Sequence, residues 1–161
     1  MEMDERDSPL SSMIAPGLYL QKILVPVDFS DASRKALHYA VSFARQFQAE
    51  VILLHVVEVA PVEGQMIATE TRDQVERQLL EWRKEFHLPG SVKTATTIWT
   101  AADQKIVDTA GEENCDLIII GNHGRSGLAR VFLGNTAEKV VRHAPCPVLV
   151  VREKERDFVI D

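Results

Sequence analysis

Apolar residues recur along the chain in two alternating rhythms. KILVPV (Lys22–Val27) and EVILLHVV (Glu50–Val57) are short runs rich in β-branched residues and nearly unbroken in apolar side chains, as strands covered on both faces require. Between them Ala36, Leu37, Ala40, Val41, Ala44 and Phe47 recur at helical spacing, and Ser30 stands where its side chain can cap the first turn. TRDQVERQLLEWRKEFH (Thr71–His87) repeats the helical stripe with Val75, Leu79, Trp82 and Phe86, and LPG closes it. SVKTATTIW (Ser91–Trp99) predicts a third strand, made less regular by its threonines. A third helix, about Ala101–Glu113, presents Ile106, Val107 and Ala110 and leads into a fourth strand, DLIIIG (Asp116–Gly121). A fourth helix near Asn135–His143 and a fifth strand, CPVLVV (Cys146–Val151), complete the series.

Strands that alternate with helices need crossover connections, and the right-handed rule fixes the side on which each crossover lies. The predicted fold is therefore α/β: a doubly wound, Rossmann-like, five-stranded parallel sheet with helices on both faces. Ligands in such sheets sit beyond the carboxyl ends of the strands, where the strand order reverses. Strand one ends in VPVDFSD and strand four in a glycine-rich stretch. The order 3-2-1-4-5 brings these two ends side by side.

Composition narrows the partners. A chain of 161 residues, 45% hydrophobic and 26% charged, fits one domain with a real core. The net charge of −6 argues against a nonspecific nucleic-acid or anionic-membrane surface, so an anionic ligand must be met by a local site. No apolar run approaches the roughly 20 residues that span a bilayer, and MEMDERDSPL is acidic where a secretory signal is basic and then apolar. A cytoplasmic location is expected, with no membrane or nucleic-acid partner. Cys115 and Cys146 form no CxxC pattern and read as plain reduced thiols; His143 with Cys146 offers two ligands, too few for zinc.

The densest glycine cluster, GNHGRSGLARVFLGNT (Gly121–Thr136), follows the fourth strand directly. Gly121 and Gly124 are expected to use positive φ to bring backbone close to a ligand. Gly134, Asn135 and Thr136 open the fourth helix, where unpaired N–H groups and roughly half a positive charge make an anion site suited to phosphate. Asp28 is suited to ribose hydroxyls or, through water, to Mg2+.

KILVPVDFSDAS, VILLHV and DLIIIGNHGRSGLARVFLGNTAEKVVRHAPCPVLVVR, from about Lys22 to Arg152, resemble the universal stress protein family. Gly121, Gly124 and Gly134 reproduce the G-2x-G-9x-G-(S/T) spacing of its ATP-binding branch. The resemblance implies adenine against Pro26, Val27 and Val56, the ribose region at Asp28 and Gly121, and phosphates at Gly124, Gly134, Asn135 and Thr136. Asn122, His123, Arg125 and Gly127 complete the candidate nucleotide-binding set, and Arg130 is a further phosphate clamp candidate. Asn135 stands where the family has Ser or Thr; its amide can donate to phosphate and cap a helix, and Thr136 supplies a hydroxyl one residue later. The ligand so implied is ATP, or ADP or AMP, with Mg2+.

Enzyme motifs are mostly absent: there is no GxxxxGK[ST], HxGH, GxSxG or HExxH. The expected function is a nucleotide-dependent stress-response protein whose occupancy is read by regulatory protein partners. The alternatives are a slow ATPase or other nucleotide hydrolase, and a nucleotide-free dimeric interaction protein. The fifth strand, Pro147–Val151, is an apolar sheet edge open to a second copy, and the family resemblance points to the same homodimer. Residues 1–20 are expected as an arm, either disordered or packed through APGLYL, residues 21–152 as the domain and residues 153–161 as a charged tail.

Overall fold

Each burst of apolar residues becomes an element of one sheet or of a helix packed on it. The computed structural model describes residues 17–68, 70–88, 90–98, 101–123 and 133–159. In chain order these form β1 (Lys22–Pro26), α1 (Asp31–Phe47), β2 (Glu50–Val62), β3 (Gln65–Ala68), α2 (Arg72–Glu85), β4 (Gly90–Ile98), α3 (Ala102–Glu112), β5 (Leu117–Gly121), α4 (Asn135–His143) and β6 (Val148–Val151). The arm expected over residues 1–20 lies outside the described residues up to residue 16, and Leu18 and Tyr19 beyond it are exposed.

β1 pairs in parallel with β2 and β5, β5 with β6, and β2 with β4. With the hairpin strand counted as β3, the predicted order 3-2-1-4-5 is the observed β4-β2-β1-β5-β6. The sheet is mixed, however, and not all-parallel as expected. β2 runs on to Val62 and turns back antiparallel into β3. Glu63 and Gly64, at φ 49° and 81°, supply the two left-handed residues that a tight hairpin turn demands. Val59 pairs with both Ala68 and Ile98, so β3 takes the side of β2 that β1 leaves after its last pair, Pro26 with Leu54.

Alternation along the strands divides the core in two. Ile23, Val25 and Val27 point to the layer of α1 and α2, where Leu37, Tyr39, Ala40, Val75 and Leu79 are buried. Leu24, with Ile52, Leu54, Ile118 and Ile120, points to the layer of α3 and α4, against Ile106, Ala110 and Val140. Among the described residues no helix is long and apolar enough to cross a membrane.

The caps lock the helix starts. Ser30 is the N-cap of α1 and its side chain accepts from the Ser33 amide, while Thr71 and Gln74 form a reciprocal capping box at α2. The charged C-terminal segment folds back on α1: Asp157 accepts from the Tyr39 hydroxyl at 2.8 Å and pairs with Lys35 at 3.2 Å.

Candidate functional site

The ends of β1 and β5, the middle of β2 and the start of α4 enclose a cavity of about 510 Å³ at the point where the strand order reverses. Pro26, Val27, Asp28, Val56, Gly121, Asn122, His123, Gly134, Asn135 and Thr136, all singled out in the sequence, line it together. Gly124, Arg125, Gly127 and Arg130 lie outside the described residues.

Asp28 is held in place by the helix it precedes. Its Oδ1 accepts from the Ser30 amide at 3.0 Å and from the Ser30 hydroxyl at 2.5 Å, and that hydroxyl in turn accepts from the Ser33 amide at 3.2 Å. The cap of α1 and the orientation of the carboxylate are therefore one arrangement. Phe29 between them sits at φ 64°, a left-handed conformation uncommon for a residue of its size, and such strain persists only where the surroundings fix it. Its ring stacks on His55 at 4.9 Å and meets Trp82 of α2 edge-on at 5.3 Å.

His55, 4% exposed, ties two walls together. Its Nδ1–H donates to the Val27 carbonyl at 2.7 Å, and Nε2 lies 2.7 Å from Glu70 Oε2. Glu70 stands between the hairpin and α2, so the β1 end and the α2 entrance are joined through a single imidazole. Glu58 and Glu70 both line the cavity. Neither was found from the sequence, because both belong to the hairpin region read there as connection.

Two glycines do different work from that expected. Gly121 does not adopt positive φ; among the described glycines only Gly64 does. A Cβ on Gly121 would stand 2.8 Å from the Ala32 carbonyl carbon and 2.9 Å from the Ser33 nitrogen. The missing side chain therefore lets β5 lie against the first turn of α1, which positions Asp28 opposite the β5 end. A Cβ on Gly134 would stand 2.7 Å from the Asn122 carbonyl oxygen.

The cap of α4 is Gly134, and not Asn135, which is the first helical residue. Gly134 has no side chain to bond the first turn, so no side-chain cap occupies the amides there. Those N–H groups face a cavity whose described lining includes Asp28, Glu58 and Glu70 but no lysine or arginine. Attraction for an anion among the described residues thus falls to the α4 start and to His123. His123 Nε2 is buried and has no hydrogen-bond partner among the described residues.

Leu54, Ile106, Ile120, Leu133 and Ala137 supply an apolar wall that the motif did not single out. A cavity of this kind, apolar with a few convergent polar groups, is typical of small-ligand sites. Among the described residues no group of three or more His, Cys, Asp or Glu is arranged to hold a metal ion. His143 donates from Nδ1 to the Lys139 carbonyl at 2.9 Å, and both cysteines are free thiols.

Known proteins resemble this arrangement as follows. Residues 20–152 match the profile of the universal stress protein family. A universal stress protein of Methanocaldococcus jannaschii is 34% identical over 157 residues, covering 92% of this chain and 92% of that protein. A solved universal stress protein from Lactobacillus plantarum superposes with a TM-score of 0.65 at 28% identity, over 84% of this chain and 100% of the other. A solved universal stress protein from Archaeoglobus fulgidus in complex with dAMP superposes with a TM-score of 0.59 at 23% identity, over 83% of this chain and 98% of the other.

Proposed function

From the premise that the chain belongs to the universal stress protein family, we propose that it binds an adenine nucleotide, ATP foremost, and acts through protein partners that read its occupancy. The observation that carries this reading is the convergence, on one cavity, of the β1 end, the β5 end and the uncapped amides of α4. Adenine lies in the apolar part against Pro26, Val27 and Val56. Asp28 and the β5 end at Gly121 and Asn122 take the ribose. Asn135 and Thr136 take the phosphates through backbone N–H groups, Gly134 holding the start of α4 against Asn122 through its own amide, with Gly124, Arg125 and Gly127 as further phosphate contacts from the motif and His123 donating or accepting from Nε2. The dAMP complex of the Archaeoglobus fulgidus protein, which shares the fold, supports the same ligand class.

The lining carboxylates bear on the form of the ligand. A polyphosphate brings negative charge toward Asp28, Glu58 and Glu70, so a divalent cation such as Mg2+ accompanies it, held by the phosphates with Asp28 contributing through water. The protein is a binding module first, because Asp28 is engaged by Ser30 in capping α1. A second copy pairs along β6, which ends the observed sheet and presents half-buried Val148, Leu149 and Val150.

The test is to denature the purified protein, identify released nucleotide by mass spectrometry, and titrate stripped protein with ATP, ADP, AMP and cAMP by calorimetry, with and without Mg2+. Saturable ATP binding that is lost in Gly134→Val and weakened in Asp28→Ala is the expected result. No released nucleotide and no heat at millimolar ATP would overturn the reading in favour of a nucleotide-free interaction protein. Phosphate release from the bound sample, absent in Asp28→Ala, would instead show a hydrolase.

A further inference from the structure

The family match ends at residue 152, yet the chain continues into a segment that makes specific contacts with the body of the domain. Lys35 of α1 donates from Nζ to the carbonyls of Glu153 and Glu155 at 3.2 and 3.3 Å and pairs with the Asp157 carboxylate. The Tyr39 hydroxyl donates to the same carboxylate, and the Tyr39 ring meets the Phe158 ring edge-on at 4.8 Å. Val159 packs against the core beneath. One cation, one hydroxyl and one aromatic edge thus read a backbone stretch, a carboxylate and a following aromatic ring in turn.

The two sides of this contact differ in burial. Tyr39 is 2% exposed and the Lys35 side chain 16%, whereas the Asp157 side chain is 51% exposed and Phe158 68%. The receiving side is built into the domain and the segment lies on top of it. Residues 152–158 are exposed and Val159 is partly buried against the core, so the segment can open locally while the sheet stays intact. The electrostatics agree: Tyr39 and Lys35 hold the Asp157 carboxyl below the usual carboxylate range.

We propose that the Lys35–Tyr39 face of α1 is a docking site for a short peptide carrying a carboxylate immediately before an aromatic and then an aliphatic side chain, and that Asp157-Phe158-Val159 is its resident occupant. A partner protein presenting the same pattern displaces the tail and takes its place, an intramolecular ligand giving way to an intermolecular one. This inference stands apart from the nucleotide reading, since none of its residues lines the cavity.

The test uses the full chain. A fluorescent peptide REKERDFVID is titrated by anisotropy against the intact protein and against a double variant, Asp157→Ala with Phe158→Ala, whose fold is checked by circular dichroism. Saturable binding to the double variant is expected, at least about fivefold tighter than to the intact protein, about tenfold weaker when Lys35→Ala is added, and weaker by a smaller factor when Tyr39→Phe is added. A scrambled peptide does not bind. As a second measurement on the intact protein, excess peptide accelerates amide exchange across residues 153–159 as the tail is displaced. A folded double variant that binds no peptide, or an intact tail whose exchange peptide leaves unchanged, would overturn the proposal.

Discussion

The Gly134 amide donates to the Asn122 carbonyl at 2.7 Å, and the same oxygen would stand 2.7 Å from a Cβ on residue 134. Asn122 in turn donates from its own amide to the Val151 carbonyl at 2.8 Å, so this one residue joins the start of α4 to the end of β6. Gly134→Ala forces that backbone apart. The expected cost is about 1–3 kcal/mol in urea denaturation, together with loss of nucleotide binding by calorimetry.

Gly121 and Gly111 make a matched pair of substitutions. A Cβ on Gly121 meets α1 backbone at 2.8 Å, whereas one on Gly111, inside α3, meets nothing within 4 Å. Gly121→Ala should destabilise by about 1–3 kcal/mol. Gly111→Ala should stabilise by about 0.5–1 kcal/mol, since alanine restricts the unfolded chain and suits the helix. Chemical denaturation of both variants measures the contrast, and equal effects would refute the packing role given to Gly121.

Ser30 serves α1 and Asp28 at once. Ser30→Ala removes the cap and should cost about 1 kcal/mol, with Ser30→Gly losing less. Because Asp28 Oδ1 loses the hydroxyl as well, nucleotide affinity should fall in Ser30→Ala even where the stability loss is small. Thermal melts and calorimetry on the same sample separate the two effects.

His55→Phe fills a similar volume but removes both ring nitrogens. The Val27 carbonyl and the Glu70 carboxylate lose their His55 partner in a buried place, which is expected to cost about 1–3 kcal/mol. Exchange protection of amides around residue 70 should fall with it, while those of β5 and β6 stay protected. Uniform loss of protection would show that His55 acts on the whole sheet.

Burial pushes the Cys115 thiol up to about 11, helped by the nearby Cys146 thiol. In the unfolded chain the thiol ionises near its ordinary value, so between that value and about 11 the folded state holds the proton that the unfolded state releases. Stability should therefore fall as pH rises through this window, and Cys115→Ser should flatten the slope. Alkylation of Cys115 at pH 8 should be slow in the native protein and fast in denaturant.

The strands, the helices and the reversal point were legible because buried parallel strands are apolar throughout and helices carry a one-sided stripe. The hairpin was not. EVAPVEGQMIA carries Pro61 and a Glu-Gly pair, and its apolar residues Val62, Met66 and Ile67 end up exposed, so no buried face imposed a period. Gly121 was read as a residue of positive φ, whereas the close approach of a helix is what excludes a side chain there. Both situations exclude a side chain, and a linear sequence does not distinguish what fills the space. The α4 cap was misplaced by one residue for a similar reason: Asn135 has the better capping side chain, but Gly134 is the residue that fits against Asn122. Tyr39 and Lys35 gave no signal because their partners lie over a hundred residues away.

β2 serves two sets of neighbours along its length, and they differ in how far the chain must search for them. Its tip, Val59–Val62, pairs with β3 across a two-residue turn, while Glu50–Val59 pairs with β1 and β4, separated from it by whole helices. Hairpins close in about 1–10 μs, and long-range parallel pairing is slower because the intervening loop entropy must be lost first. Pulse-labelled exchange during refolding should accordingly protect Val59–Ala68 before Val51–Leu54. The strand that forms the sheet's middle would then be anchored from its outer tip inward, with Glu58 and Glu70 carried into place ahead of the cavity they line.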